Sequence, residues 1–76
     1  MNERQQITYM QARICRMASE RWNKTLKDVI VLFNSYKVLE YIEAGFGIFH
    51  MEGDEAVFED ITSYLQEKGA VIHATP

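Results

Sequence analysis

From Glu3 to Asn23 the apolar side chains fall in a helical rhythm. Ile7, Met10, Ile14 and Met17 recur at spacings of three, four and three, which puts them on one face of a helix. Cys15, Ala18 and Trp22 widen the stripe on one flank, while Arg13, Arg16, Glu20 and Arg21 fall mainly off it. No Gly or Pro interrupts the run, and Glu3 suits the positive end of the helix dipole. The pattern predicts a first helix over 3–23, with its methionines as core filler.

Asn23, Lys24 and Thr25 break the rhythm. Thr25 is an expected N-cap, its hydroxyl accepting from the Asp28 amide while the Asp28 carboxylate answers back. Leu26, Val29, Ile30 and Phe33 then form a helical stripe, and Val31 and Leu32 fall outside it. The run Val29 to Phe33 would also suit a buried strand, but the cap and the twelve-residue length favour a helix over 25–36. A helix apolar on nearly every side has to be covered on every side, by three neighbouring helices or by a second subunit.

Asn34 and Ser35 make a polar break before a third segment, 37–52, in which Val38, Leu39 and Ile42 face inward. Tyr36 and Tyr41 can bury their rings and keep the hydroxyl wet. Each glycine of Ala44-Gly45-Phe46-Gly47 costs about 1 kcal/mol in a helix interior. A bend or short connection is therefore expected there, with close helix packing across the glycines as the other reading. Asp54 and Glu55 open a last helix, 54–68, whose inward face is Val57, Ile61, Tyr64 and Leu65 with Phe58 beside them. Lys68-Gly69 is a C-terminal stop. The expectation is an all-α, compact single domain of about four helices over 1–69, its long first helix packed on a short apolar second one. Residues 70–76 are expected to form a C-terminal tail, extended or frayed.

Length changes this picture by limiting the core. A chain of 76 residues makes one domain, and a domain of that size buries only about 60% of its unfolded surface. Trp22, Phe46, Phe49 and Phe58 are large rings for so thin a core, so an exposed apolar patch is expected, covered in a twofold homodimer. Cys15 is the sole cysteine, which excludes an intramolecular disulfide and favours a reducing interior. No stretch at the N-terminus has signal-peptide character, and the longest apolar run, Val29 to Phe33, is too short to cross a bilayer. The expected location is cytoplasmic, with no membrane partner.

Charge is split along the chain. Residues 1–37 carry seven basic and three acidic side chains, and residues 38–76 one basic and eight acidic. The balances, +4 and −7, give the chain its net −3. Such halves are either two solvated faces or a surface for a charged partner, including a second copy whose basic first helix meets the acidic second half.

No catalytic constellation assembles, and no catalytic, cofactor-binding or metal residue is assigned. His50 and His73 lack Cys or acidic neighbours at ligand spacing, so no metal or cofactor is expected. A thiolate pair of Cys15 with His50 is outweighed by a buried, inert thiol. Gly45 and Gly47 have no following lysine and make no phosphate loop. A helix-turn-helix would use Val38 to Ala44 as recognition helix, and Glu40 and Glu43 there would repel phosphate. A basic patch of Arg13, Arg16, Arg21, Lys24 and Lys27 keeps a nucleic-acid-binding regulator as the runner-up.

The run from Thr25 to Leu65 resembles an uncharacterised family of short bacterial proteins. Its marks are Thr25 as a capped start, Leu32-Phe33 before a polar pair, Val38-Leu39-Glu40-Tyr41-Ile42, Phe49-His50, Gly53, and Glu59-Asp60-Ile61 with Tyr64. The chain departs from it at Ala44–Gly47, where members carry non-glycine helix formers. Members are often encoded beside predicted ADP-ribosyltransferase-like toxins, so the resemblance implies an antitoxin-type or other accessory role and supplies no catalytic residue. The expected function is a non-enzymatic protein-interaction module, a likeness that leaves the protein partner's identity open. Its candidate surface is Trp22, Phe46, Phe49, Arg13, Arg16, Glu40 and Glu43.

Overall fold

The structure, a computed structural model, describes residues 1–72 of the chain. Among them four helices follow one another without a strand: α1 (Glu3–Arg21), α2 (Leu26–Ser35), α3 (Val38–Phe49) and α4 (Asp54–Glu67). The all-α architecture expected from periodicity is the observed one, each helix a residue or more shorter than its pattern.

The ends explain the trimming. Asn2 caps α1: its Oδ1 accepts from the Gln5 amide at 2.8 Å, and its own amide donates to Gln5 Oε1 at 3.2 Å. At the other end Trp22 caps the helix and Asn23 turns left-handed at φ 52°. Thr25 caps α2 as expected, accepting from the Asp28 amide at 3.1 Å, while the return contact from the Asp28 carboxylate is not made. Tyr36 and Lys37 form the next turn, with Lys37 at φ 57°, strained for a side chain bearing Cβ. After α4, Gly69 at φ 89° lets its amide bond the Gln66 carbonyl and the Ala70 amide reach back to Leu65 at 2.9 Å, a Schellman stop. Ala70 is thereby buried and Ile72 rests on the core, so the packed domain runs past 69. Of the expected tail, residues 73–76 lie outside the described residues.

α1 touches all three other helices, whereas α2 and α4 stay apart. Trp22 fills the space between those two. Its ring meets Phe33 of α2 edge-on at 6.3 Å between centroids and Phe58 of α4 at 5.3 Å. The core around it comprises Ile7, Met10 and Ile14 of α1, Val29 of α2, Val38 and Ile42 of α3, and Val57, Ile61 and Leu65 of α4.

Two expectations are corrected here. The large rings do not overflow the core: Trp22, Phe46, Phe49 and Phe58 are exposed by only 5%, 5%, 4% and 7%. The accessible surface, 4954 Å², is close to the about 4,800 Å² usual for a monomer of this mass. Nor is α2 covered all round. Val29 and Phe33 are buried against α1 and α3, while Leu26, Ile30 and Val31 face outward.

Ala44–Gly47 is continuous helix rather than a bend. A Cβ on Gly45 would sit 2.5 Å from Phe49 Cε2, so Gly45 is the gap into which the Phe49 ring, one turn on, folds back. The close packing across this glycine is with its own helix. Nothing lies within 4 Å of a Cβ on Gly47, and nothing in the structure explains a glycine there.

The two glycines should therefore respond with opposite signs in urea denaturation followed by circular dichroism. Gly45→Ala has to displace a buried ring and is expected to cost about 1–3 kcal/mol. Gly47→Ala is expected to stabilise by about 1 kcal/mol through helix propensity. Equal gains from both would mean that the Phe49 ring does not lie over Gly45.

Candidate interaction surface

α3 and α4 touch only lightly, and beside that contact lies a surface groove of about 320 Å³. Tyr41, Ala44, Gly45, Ile48 and Phe49 line it from α3, and Asp60 from α4. The floor exists because Gly45 has no side chain and the Phe49 ring lies across it, 5.6 Å from the Tyr41 ring. Tyr41 stacks on Tyr64 at 4.1 Å and donates from its hydroxyl to Asp60 Oδ1 at 3.0 Å. The Tyr64 hydroxyl in turn donates to the Tyr36 carbonyl at 2.8 Å. This stack fixes the wall. Along the outer edge the apolar Ile48 is 70% exposed, with no charged side chain in the run 44–51.

A second hollow, about 300 Å³, opens where α1 passes the α3–α4 turn, among Tyr9, Arg13, Phe46, His50, Glu52 and Asp54. Two of its charges are engaged with each other. Arg13 grips Asp54 with two nitrogens, at 2.9 and 3.3 Å. His50 Nδ1 lies 2.8 Å from the Phe46 carbonyl, which only accepts, so Nδ1 carries the proton and the ring stacks on Phe46. No serine, threonine or cysteine lines the hollow. No cluster of metal-ligating side chains occurs among the described residues.

The candidate surface read from the sequence does not come together. Trp22, Phe46 and Phe49 are core residues, because the three-way packing around α1 has room for their rings. Arg13 and Glu43 are held in ion pairs, with Asp54 and with Arg4. Arg16 and Glu40 are exposed and enter no ion pair among the described residues. Of the set, Glu40 stands one helical turn from Ala44 at the groove's rim, and Phe49 forms its floor. The residues missed were Tyr41, Ala44, Gly45, Ile48 and Asp60. Ile48 carried a signal: it falls outside the stripe of Val38, Ile42 and Phe49, yet it is apolar.

Comparison with known families matches residues 9–68 to DUF3791, a family of proteins of unknown function. The chain belongs to that family. Neither the curated proteins nor the solved structures give a match. The resemblance to an uncharacterised family thus holds, and the matched span reaches back into α1, well before Thr25. No helix among the described residues is long and apolar enough to cross a membrane.

The electrostatics of this DUF3791 chain are organised by α1. Arg4 holds Glu43 of α3 at 2.7 Å, Arg13 holds Asp54, and Arg21 holds Glu55, both of α4. Some of the opposite charges of the two halves therefore meet inside one molecule. Hydrogen bonds from Arg4 and Arg21 keep Glu43 and Glu55 below the usual carboxylate range. Burial pushes the Tyr41 hydroxyl up, with the Asp60 hydrogen bond adding to it. Burial likewise pushes the Cys15 thiol up, so the thiolate is disfavoured.

Two outcomes follow. Because Glu43 and Glu55 are depressed in the folded state, their stabilisation is present above the ordinary carboxylate range and lost as pH falls through their folded values. Thermal melts should hold steady near neutrality and fall below about pH 5; the pair of changes Glu43→Gln and Glu55→Gln should flatten that acid limb. Cys15 should react with a thiol reagent slowly in buffer and fast in denaturant, and equal rates would place it outside the core.

Proposed function

We propose that this protein is a non-enzymatic protein-interaction module that receives another chain in the groove between α3 and α4. The observation that carries the reading is a shaped apolar groove edged by the largely exposed Ile48. Exposed apolar side chains of that size at one edge are a poor use of a small soluble surface unless something covers them. An antitoxin-type or accessory role beside a neighbouring bacterial protein agrees with this. The nucleic-acid alternative is the weaker reading, since Arg4, Arg13 and Arg21 of the basic half already hold carboxylates.

Self-association is the second part of the proposal, and it rests on α2. Leu26, Ile30 and Val31 form an outward apolar face with Lys27 among them, separate from the groove. A twofold dimer through this face would cover it. The ring-overflow argument for a dimer no longer contributes.

Co-expression with the product of the adjacent gene, followed by affinity capture, tests the first part. Ile48→Asp is expected to release the partner and Val31→Asp to retain it; capture indifferent to Ile48 would sink the groove reading. Light scattering tests the second, with Val31→Asp expected to return the chain to a mass near 8.9 kDa. That mass for the unaltered chain at every concentration would remove the dimer.

A further inference from the structure

The groove's charge says what kind of chain fits it. Of the carboxylates after residue 37, Glu43, Asp54 and Glu55 are taken by arginines of α1, while Glu40, Glu52, Glu59, Asp60 and Glu67 enter no ion pair among the described residues. Asp60 lies in the groove itself, with only the Tyr41 hydroxyl donating to it. Glu40 precedes Ala44 by one turn on the same helix row. Glu67 follows Asp60 by two turns on α4. The one base of this half, Lys68, sits over the Tyr64 ring at 5.5 Å. The trench is thus apolar along its floor and outer edge, and acidic at its rim.

Shape narrows the occupant further. A small-molecule site would bury most of its ligand, whereas this groove is bounded on one side by the largely exposed Ile48 and runs along one face of α3, with Asp60 of α4 opposite. A helix laid into it presents apolar side chains one turn apart to the floor and long polar ones to the rim. A second copy seated through the same face would bring two acidic faces together, a like-charge arrangement.

We propose that the groove between α3 and α4 binds a basic amphipathic helix of a partner protein, its apolar stripe over Gly45 and Phe49 and its Lys or Arg side chains on Asp60 and Glu40. This deepens the interaction-module reading and rests on it. Ala44, small and exposed, is the contact that lets the helix approach closely.

The test uses the full chain and two labelled synthetic helices of 18 residues, one of Leu and Lys in helical spacing and one with Glu for every Lys, followed by fluorescence anisotropy. The Lys helix is expected to bind at least about tenfold tighter than the Glu helix, with the difference shrinking in high salt. Ala44→Arg blocks the trench and reverses its charge, and is expected to weaken the Lys helix by about tenfold or more. Asp60→Asn keeps an acceptor for Tyr41 and should weaken it by a smaller factor. Glu20→Gln, an exposed acid on α1, should leave binding unchanged; circular dichroism checks that each variant is folded. Binding that drops equally with Glu20→Gln and Ala44→Arg would show attraction to net charge alone and overturn the proposal. Equal binding of both helices, or none of either, would also overturn it. In that case capture of the adjacent gene's product that still depends on Ile48 would leave the interaction-module reading standing, and capture that does not would remove both.

Discussion

The fold depends on α1, which packs more extensively on the other three helices than α3, the other helix that touches all of them. α1 supplies the shared wall, and at its end Trp22 reaches between α2 and α4, which do not meet. A chain this short cannot surround each helix, since the fraction of surface it buries is limited by its size. It solves the problem by centring the apolar area on α1 and leaving the outer arcs of its neighbours bare. Truncation of the indole would open space against two helices at once, in the class of core losses that cost about 3–5 kcal/mol. Besides Tyr9 of α1 and residues at the chain ends and turns, what is left exposed includes Leu26, Ile30 and Val31 of α2 and Ile48 of α3.

Charge follows the same geometry. The basic residues of α1 face the acidic starts and edges of α3 and α4, and three arginines clamp the helix in register at Glu43, Asp54 and Glu55. Asp54 and Glu55 also occupy the positive end of α4, so one pair of carboxylates serves both the helix dipole and the interhelical contact. The pairs are exposed, and their effect on stability is correspondingly screened. Their larger effect is subtraction. They take Arg13 and Arg21 out of the basic patch and leave the carboxylates of Glu40 and Asp60 without an ion pair among the described residues.

The helices, their order and most of their inward stripes were legible in the sequence, because 3.6-residue periodicity and the Thr25 cap are local properties. Destinations of rings were not. Whether Trp22 or Phe49 ends inside depends on the gap that three other segments leave, which no window of the chain encodes. The glycines misled for a related reason: propensity marks Gly45 as a break, yet its lack of a Cβ is what admits the Phe49 ring. Lys37 in a left-handed conformation gave no sign, since glycine is the usual residue there. Asn2, a plain capping signal before Glu3, was there to be read. The groove escaped because its members are single residues from two rows of α3 and one of α4, brought together only by helix packing.

Gly45 ties these levels together. The same missing Cβ that lets α3 run straight, and lets Phe49 reach the core, also leaves the depression that Tyr41, Ala44 and Ile48 enclose. Core and surface are therefore not independent here, as a larger side chain at 45 would fill the groove and expel the ring beneath it. An occupant that bound only the folded groove would in turn stabilise α3 against α4, the pair with the thinnest contact. In so small a domain that coupling is large relative to total stability. The stabilisation such an occupant would give grows with its concentration relative to its Kd.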